Sequence, residues 1–169
     1  VNSGADMGAG GGGGAGGKGE DAYLGESRAG NGTYPKAYHS GNGGIGRMSD
    51  ITGEEVWYAG GGGGGMYHDS NSGWGGNVLP LAGMGGKGGG GHGVRLVSGN
   101  LAEATLAASE FAKYYSYDFM TDPSLLDRYE ANSPDRFDGV DGLGGGGGGG
   151  RLATCGKGGD GVLIIRANE

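Results

Sequence analysis

Two uninterrupted runs of glycine, 60–65 and 144–150, limit what this chain can fold into. Glycine brings no side chain to a core, and it loses more backbone entropy on ordering than any other residue. Six or seven consecutive glycines are also poor helix formers and give a lone strand nothing to pack. An ordered structure that contains these runs must therefore be held largely by backbone hydrogen bonds.

One backbone conformation uses such runs directly. Polyglycine II is the glycine form of the threefold extended helix, with three residues per turn, a rise of about 3.1 Å per residue and every N–H and C=O pointing sideways. Without Cβ atoms these helices can pack as closely as the chains of collagen, so each can bond to several neighbours. The sequence predicts a mostly irregular fold, with a polyglycine II helix bundle edged by short β-strands.

Glycine is unevenly distributed along the chain. It supplies 49 of the 169 residues, yet none lies between positions 100 and 138. We therefore expect a single glycine-rich domain, 1–169, whose glycine-rich frame carries a conventional insertion at 100–138. The chain begins at Val1, which suggests a processed mature chain or an excerpt of a longer one.

The insertion has the pattern of a small α-helical hairpin. Asn100 and Glu103 have the spacing of a capping box, and apolar residues then recur three and four apart over about 18 residues. A second short helix is predicted to begin at Asp122 and to stop near Asn132. The apolar face of the hairpin should dock on the frame or on another subunit, through the aromatic residues Phe111, Tyr115 and Phe119.

The frame contains a loose internal repeat in which a glycine run is followed by a connector and then by Gly-Lys-Gly. The runs are 10–14, 60–65 and 144–150, and their Gly-Lys-Gly partners are 17–19, 86–88 and 156–158. Short apolar stretches border the runs and are predicted to be β-strands. These stretches are 56–58, 94–97 and 162–165.

The charge of the chain is concentrated in and beside the insertion. The formal net charge is −7, and residues 100–141 hold nine acids and three bases. An acidic module on a nearly neutral frame lacks the basic surface that nucleic-acid binding requires. No apolar stretch approaches 18 residues, so we expect no membrane span.

Two stretches resemble a module of bacterial and phage surface and fibre proteins. ITGEEVWYA at 51–59 runs into six glycines, and GKGGDGVLIIR at 156–166 is similar to the GGxGGxGVVIIRY-like end of that module. The similarity covers the frame, about 120 residues, and departs at the end, where ANE stands in place of a Tyr. Related glycine-rich folds with packed polyglycine II helices occur in phage tail-fibre adhesins and in the extracellular region of anaplastic lymphoma kinase. The resemblance implies a polyglycine II fold and an extracellular location.

The pattern of reactive side chains predicts no catalytic site, cofactor site or transition-metal site. The three histidines lie far apart, Cys155 is the only cysteine, and each lysine of a Gly-Lys-Gly motif is followed by glycine, which excludes a phosphate-binding P-loop. A hard cation such as Ca²⁺ is an open alternative to a solvated acidic turn at Asp135, Asp138 and Asp141, although these acids lack the spacing of a calcium loop.

Six aromatic residues flank glycine runs, and their position has two interpretations. They shield the ends of the bundle, or they form a surface on which a carbohydrate stacks. They are Tyr34, Tyr38, Trp57, Tyr58, Tyr67 and Trp74.

These patterns favour a non-enzymatic extracellular protein that polymerises with copies of itself into a fibre or surface appendage. The apolar run near the C-terminus should provide an edge for pairing with another chain. Its residues are Val162, Leu163, Ile164 and Ile165. The alternative is an adhesin or receptor-binding module on a cell or virion surface that recognises a glycan or protein.

Overall fold

The computed structural model describes residues 7–26, 36–68, 78–97, 100–101, 137–150 and 155–167. No α-helix lies within these ranges, whose regular structure consists of short β-strands and extended glycine segments. The strands are β1 (Met7–Gly8), β2 (Tyr23–Glu26), β3 (Lys36–His39), β4 (Arg47–Ser49), β5 (Val56–Tyr58), β6 (Met66–His68), β7 (Val78–Leu81), β8 (Arg95–Val97) and β9 (Asn100–Leu101).

Eight glycine-rich segments lie between or beyond the strands and are joined to one another by backbone hydrogen bonds. We number them in chain order, so that segments IV and VII contain the two longest glycine runs. They are segments I (9–16), II (17–20), III (40–46), IV (59–65), V (82–87), VI (88–94), VII (144–150) and VIII (155–161).

Segment IV bonds to five other segments, and its bonds repeat every three residues. Its N–H donors to segment VI are Gly60 and Gly63, and its donors to segment III are Gly61 and Gly64. Its carbonyl acceptors are Ala59, Gly62 and Gly65 toward segment I, Gly60 and Gly63 toward segment VII, and Gly61 and Gly64 toward segment V. The N···O distances are 2.7 to 3.0 Å. A repeat of three residues is that of the threefold extended helix.

The five neighbours of segment IV also bond to one another in order around it. Segment III donates to segment I, and it donates to segment V at Gly43 and Gly46. Segment VI donates to segment V at Gly90 and Gly93, and to segment VII at Gly91 and Val94. The centre of the described structure is therefore a lattice of backbone hydrogen bonds.

The internal repeat of the sequence is also a repeat of the structure. Each glycine run pairs antiparallel with the segment that carries its own Gly-Lys-Gly motif, again every three residues. Segment I pairs with segment II, segment V with segment IV, and segment VIII with segment VII. The last pair is typical: Gly156 donates to Gly148 at 2.9 Å, and Gly159 donates to Gly145 at 2.8 Å.

Glycine is required in this lattice because neighbouring backbones occupy the space of a Cβ. A Cβ added at Gly62 would collide with the carbonyl of Gly147, and one added at Gly147 would collide with the carbonyl of Gly156. In both cases the obstacle is backbone, so no side-chain rotation can relieve the contact. At Gly13, by contrast, no described atom lies within 4 Å of an added Cβ.

Several polar side chains supply bonds that a glycine cannot. The buried Ser40 hydroxyl donates to the Gly65 carbonyl at 2.8 Å. The Asn42 amide oxygen accepts from the Met84 N–H at 2.8 Å. Nδ1 of His92, which is 3% exposed, accepts from the Gly85 N–H at 3.2 Å. The ring of His92 is therefore buried and forms part of the lattice.

The apolar core of the described residues is small. Its buried members are Met66, Leu81, Ala82, Met84, Val94 and Phe137. Val94 and Phe137 pack together, with the ring of Tyr67 against them. Phe137 belongs to the predicted insertion, yet its carbonyl accepts from Gly148 in the frame. The second part of the glycine-rich frame therefore begins before residue 139, because the ring of Phe137 packs in the core and its backbone bonds to segment VII.

The strands extend or connect the glycine segments and form three sheets. The strand orders are β1-β6-β8-β9, β2-β3-β7 and β4-β5. Since β1 leads into segment I, and since β6 and β8 continue segments IV and VI, the first sheet lies at one end of the lattice. Strands β4 and β5 form a hairpin that joins segments III and IV at the opposite end.

The structure tests the predicted strands and the start of the predicted hairpin. Strand β5 confirms the strand predicted at 56–58, and β8 confirms most of the one at 94–97. The helix start at Asn100 is wrong: Asn100 and Leu101 form β9, which pairs antiparallel with β8. Cross-strand bonds to β8 have replaced the capping box. The rest of the predicted hairpin lies outside the described residues.

We expect Gly147→Ala to destabilise the fold far more than Gly13→Ala. The first change drives a Cβ into the Gly156 carbonyl and forces segments VII and VIII apart, which should cost about 3 kcal/mol or more. The second adds a methyl group in open space. Thermal unfolding followed by circular dichroism should show a fall of more than about 6 °C for the first variant and little change for the second. Equal melting temperatures would contradict the packed lattice.

Candidate assembly surface

The C-terminal segment 162–167 is the most exposed apolar part of the described chain. Leu163 and Ile165 are 85% and 82% exposed, and Val162 is 53% exposed. The prediction of a β-strand at 162–165 is wrong, because no described segment forms a ladder with it. Its backbone N–H and C=O groups therefore have no sheet partner.

Alternate residues of this segment face different surroundings. Val162 and Ile164 line a cavity of about 390 Å³, whereas Leu163 and Ile165 lie in solvent. The other lining residues are Ser49, Ile51 and Tyr58 of the β4–β5 hairpin, Ala59 at the start of segment IV, Leu143 and Gly144 where segment VII begins, and Gly161 at the end of segment VIII. Side chains that alternate between two environments are typical of an extended chain that has one face against the protein and the other exposed to solvent.

The cavity wall contains an unusual backbone conformation. Ala59 has a φ of 57°, in the left-handed region that residues with a Cβ rarely adopt. Its N–H donates to the Leu143 carbonyl at 2.7 Å, and its own carbonyl accepts from Ala15 at 2.9 Å. These two bonds hold the sharp change of direction by which β5 enters segment IV.

The structure does not bring the predicted ligand-facing aromatic residues together. Trp57 lies under the ammonium group of Lys87, with Nζ 4.6 Å from the ring centroid. Tyr58 lines the cavity, and Tyr67 packs on the core. Tyr38 belongs to β3, whereas Tyr34 and Trp74 lie outside the described residues, as do the predicted assembly residues Phe111, Tyr115 and Phe119.

Two of the acids proposed as calcium ligands accept hydrogen bonds from backbone N–H groups. The Asp138 carboxylate accepts from the Lys157 N–H at 2.7 Å, and the Asp141 carboxylate accepts from the Asp160 N–H at 3.0 Å. Both acids and both donors are three residues apart, so these side chains continue the lattice along segment VIII. Asp135 lies outside the described residues. Within the described ranges no three His, Cys, Asp or Glu side chains form a group that could hold a metal ion.

The Asp138 and Asp141 pairing was missed by sequence reasoning, although a signal is present. The two acids precede Gly139 and Gly142 with the same spacing of three as the lattice. Gly139 and Gly142 donate to the Lys157 and Asp160 carbonyls, which fixes the register of the two chains.

Comparisons with protein-family models, curated proteins and solved structures found no match to this chain. Among the described residues there is no helix with the length and apolar character needed to cross a membrane.

We expect Asp141→Ala to loosen segment VIII without unfolding the lattice. The change removes the acceptor of the Asp160 N–H, and an exposed bond to a carboxylate contributes about 1 kcal/mol. Amide hydrogen exchange at Asp160 should become several-fold faster. Asp141→Asn retains an amide oxygen that can accept, so its effect should be smaller. Unchanged exchange in Asp141→Ala would show that the carboxylate does not hold this segment.

Proposed function

We propose that this chain is a non-enzymatic structural protein, the subunit of a self-assembling fibre, filament or surface appendage. Its glycine segments are polyglycine II helices packed side by side, and its partners are copies of itself. The assembly is extracellular or lies on a cell or virion surface, as the resemblance of its frame to bacterial and phage surface proteins implies.

The bond repeat supports the polyglycine II assignment. Ladders with a period of three join segment IV to five neighbours, and Cβ atoms are excluded from its interior positions. Each backbone bond contributes about 1 kcal/mol net, whereas ordering a residue costs about 1 to 2 kcal/mol. The described part of the chain has six buried apolar residues to offset this difference, so an isolated bundle is marginal, and association with further copies would stabilise it.

The observation that carries the proposal is the bare outer face of segment 162–167. Leu163 and Ile165 present two large apolar side chains to solvent beside a backbone that forms no ladder with any described segment. Burying each side chain against another copy would stabilise the contact by roughly 1.5 to 3 kcal/mol. An extended edge of this kind is a template for pairing with another chain.

An adhesin or receptor-binding module has less support. Stacking on a glycan needs several aromatic faces on one surface, whereas Trp57, Tyr58 and Tyr67 have three separate environments.

The proposal is tested by the mass and shape of the purified protein. Light scattering across a concentration series should show growth beyond the monomer, and negative-stain microscopy should show filaments. The double variant Leu163→Ser/Ile165→Ser should shift assembly to at least tenfold higher concentration, because it removes the apolar side chains that another copy would cover.

The control for this test is Tyr23→Ser, which removes an exposed aromatic at the opposite end of the lattice, where Tyr23 stacks on His39 at 4.5 Å. This variant should assemble like the wild type. A wild-type protein that stays monomeric at every concentration would overturn the proposed function.

A further inference from the structure

The hydrogen bonds of segment IV leave one direction unused. Its N–H groups fall into three sets, each with members three residues apart. One set donates to segment VI and another to segment III, but Gly62 and Gly65 of the third set donate to no described residue. Both glycines are buried. Buried backbone donors are nearly always paired, so this pair indicates a missing partner.

The order of the neighbours shows where the unused direction lies. Around segment IV each neighbour bonds to the next, from I to III, V, VI and VII, but no described bond joins VII back to I. We call the gap between segments I and VII, beside segment IV, the notch. The position of the notch follows from the contacts that added Cβ atoms on segments I and VII would make. One added at Gly146 would lie 3.0 Å from the Gly62 nitrogen, and one at Gly149 would lie 3.0 Å from the Gly65 nitrogen. From the other side, a Cβ at Gly12 would lie 3.5 Å from the Gly62 nitrogen.

The groups around the notch define the chemistry of an occupant. Its floor offers two N–H donors, Gly62 and Gly65, spaced by three residues, about 9.3 Å in a threefold helix. Segment I also leaves the carbonyl of Gly10, which lies beside segment IV, without a described donor. An occupant must therefore accept at a period of three, it must also donate, and it must be narrow. Proline has no N–H to donate, whereas glycine meets all three requirements.

We propose that the notch between segments I and VII receives an edge glycine segment of a second copy of this chain, and that the hydrogen-bond lattice thereby continues from one subunit into the next. A second copy is the occupant because this chain carries such edges itself. Segment VIII exposes Gly158 and Gly161, whose N–H groups donate to no residue in the described part of the chain. The inference rests on the proposed self-assembly and names the surface that performs it.

Hydrogen exchange at single amides tests this contact directly. The amides of Gly62 and Gly65 should exchange at least tenfold more slowly in assembled protein than in dilute monomer. Gly61 and Gly64, which already donate to segment III, provide internal controls and should change much less.

A matched pair of variants tests the same contact sterically. Gly12→Val places its side chain in the notch, at ordinary contact distance from Gly62, and should block assembly while the monomer keeps its melting temperature. Gly13→Val, one residue further on, has an open surface around its Cβ and should assemble like the wild type. Gly12→Ala, which adds only the Cβ, serves as a second notch variant if valine lowers the melting temperature.

The outcomes separate this inference from the proposed function. Filaments in which Gly62 and Gly65 exchange as fast as in the monomer, or in which folded Gly12→Ala assembles normally, would overturn the notch while leaving self-assembly intact. Slow exchange of both amides in dilute monomer would mean that the chain fills its own notch, which also overturns the inference. A wild-type protein that never assembles would overturn both.

Discussion

The close approach of backbones that carry no Cβ is the interaction on which the rest of this structure depends. At Gly43, Gly62 and Gly83 the space of a Cβ is taken by a carbonyl of another segment. This proximity lets one segment bond to five others, and it replaces the interlocking side chains of an ordinary core. Specificity then rests on which positions are glycine and which are not.

The side chains that remain follow from the same constraint. Ser40, Asn42 and His92 supply bonds at places where the backbone alone does not, and Asp138 and Asp141 do so along segment VIII. None of the lysines of the three Gly-Lys-Gly motifs is buried. Lys18 and Lys157 are exposed, and Lys87 covers the ring of Trp57. The cavity and the bare C-terminal segment lie at the end where the lattice gives way to side-chain packing.

The sequence predicted the parts of the fold whose cause is local. Runs such as 60–65 exclude helices and packed strands, and VWY at 56–58 has the β-branched and aromatic character of a strand. The order of segments was not predictable, because glycine runs are chemically alike and any two can pair. The strand at Asn100 was missed because its partner β8 outweighs a local capping signal. Segment 162–165, which pairs with no described segment, shows the converse: strand-forming residues make no strand without a partner.

Couplings across hydrogen bonds, measured by nuclear magnetic resonance between an amide nitrogen and the carbonyl carbon of its acceptor, test the threefold lattice most directly. In the threefold lattice, couplings should run from Gly61 to Gly44 and from Gly64 to Gly41, and from Gly60 to Gly88 and Gly63 to Gly91. Donors three residues apart should thus reach the same neighbour, while adjacent donors reach different ones. Couplings that alternate every two residues toward a single neighbour would indicate a β-sheet, and their absence throughout segment IV would indicate an unstructured linker; either result would contradict the account.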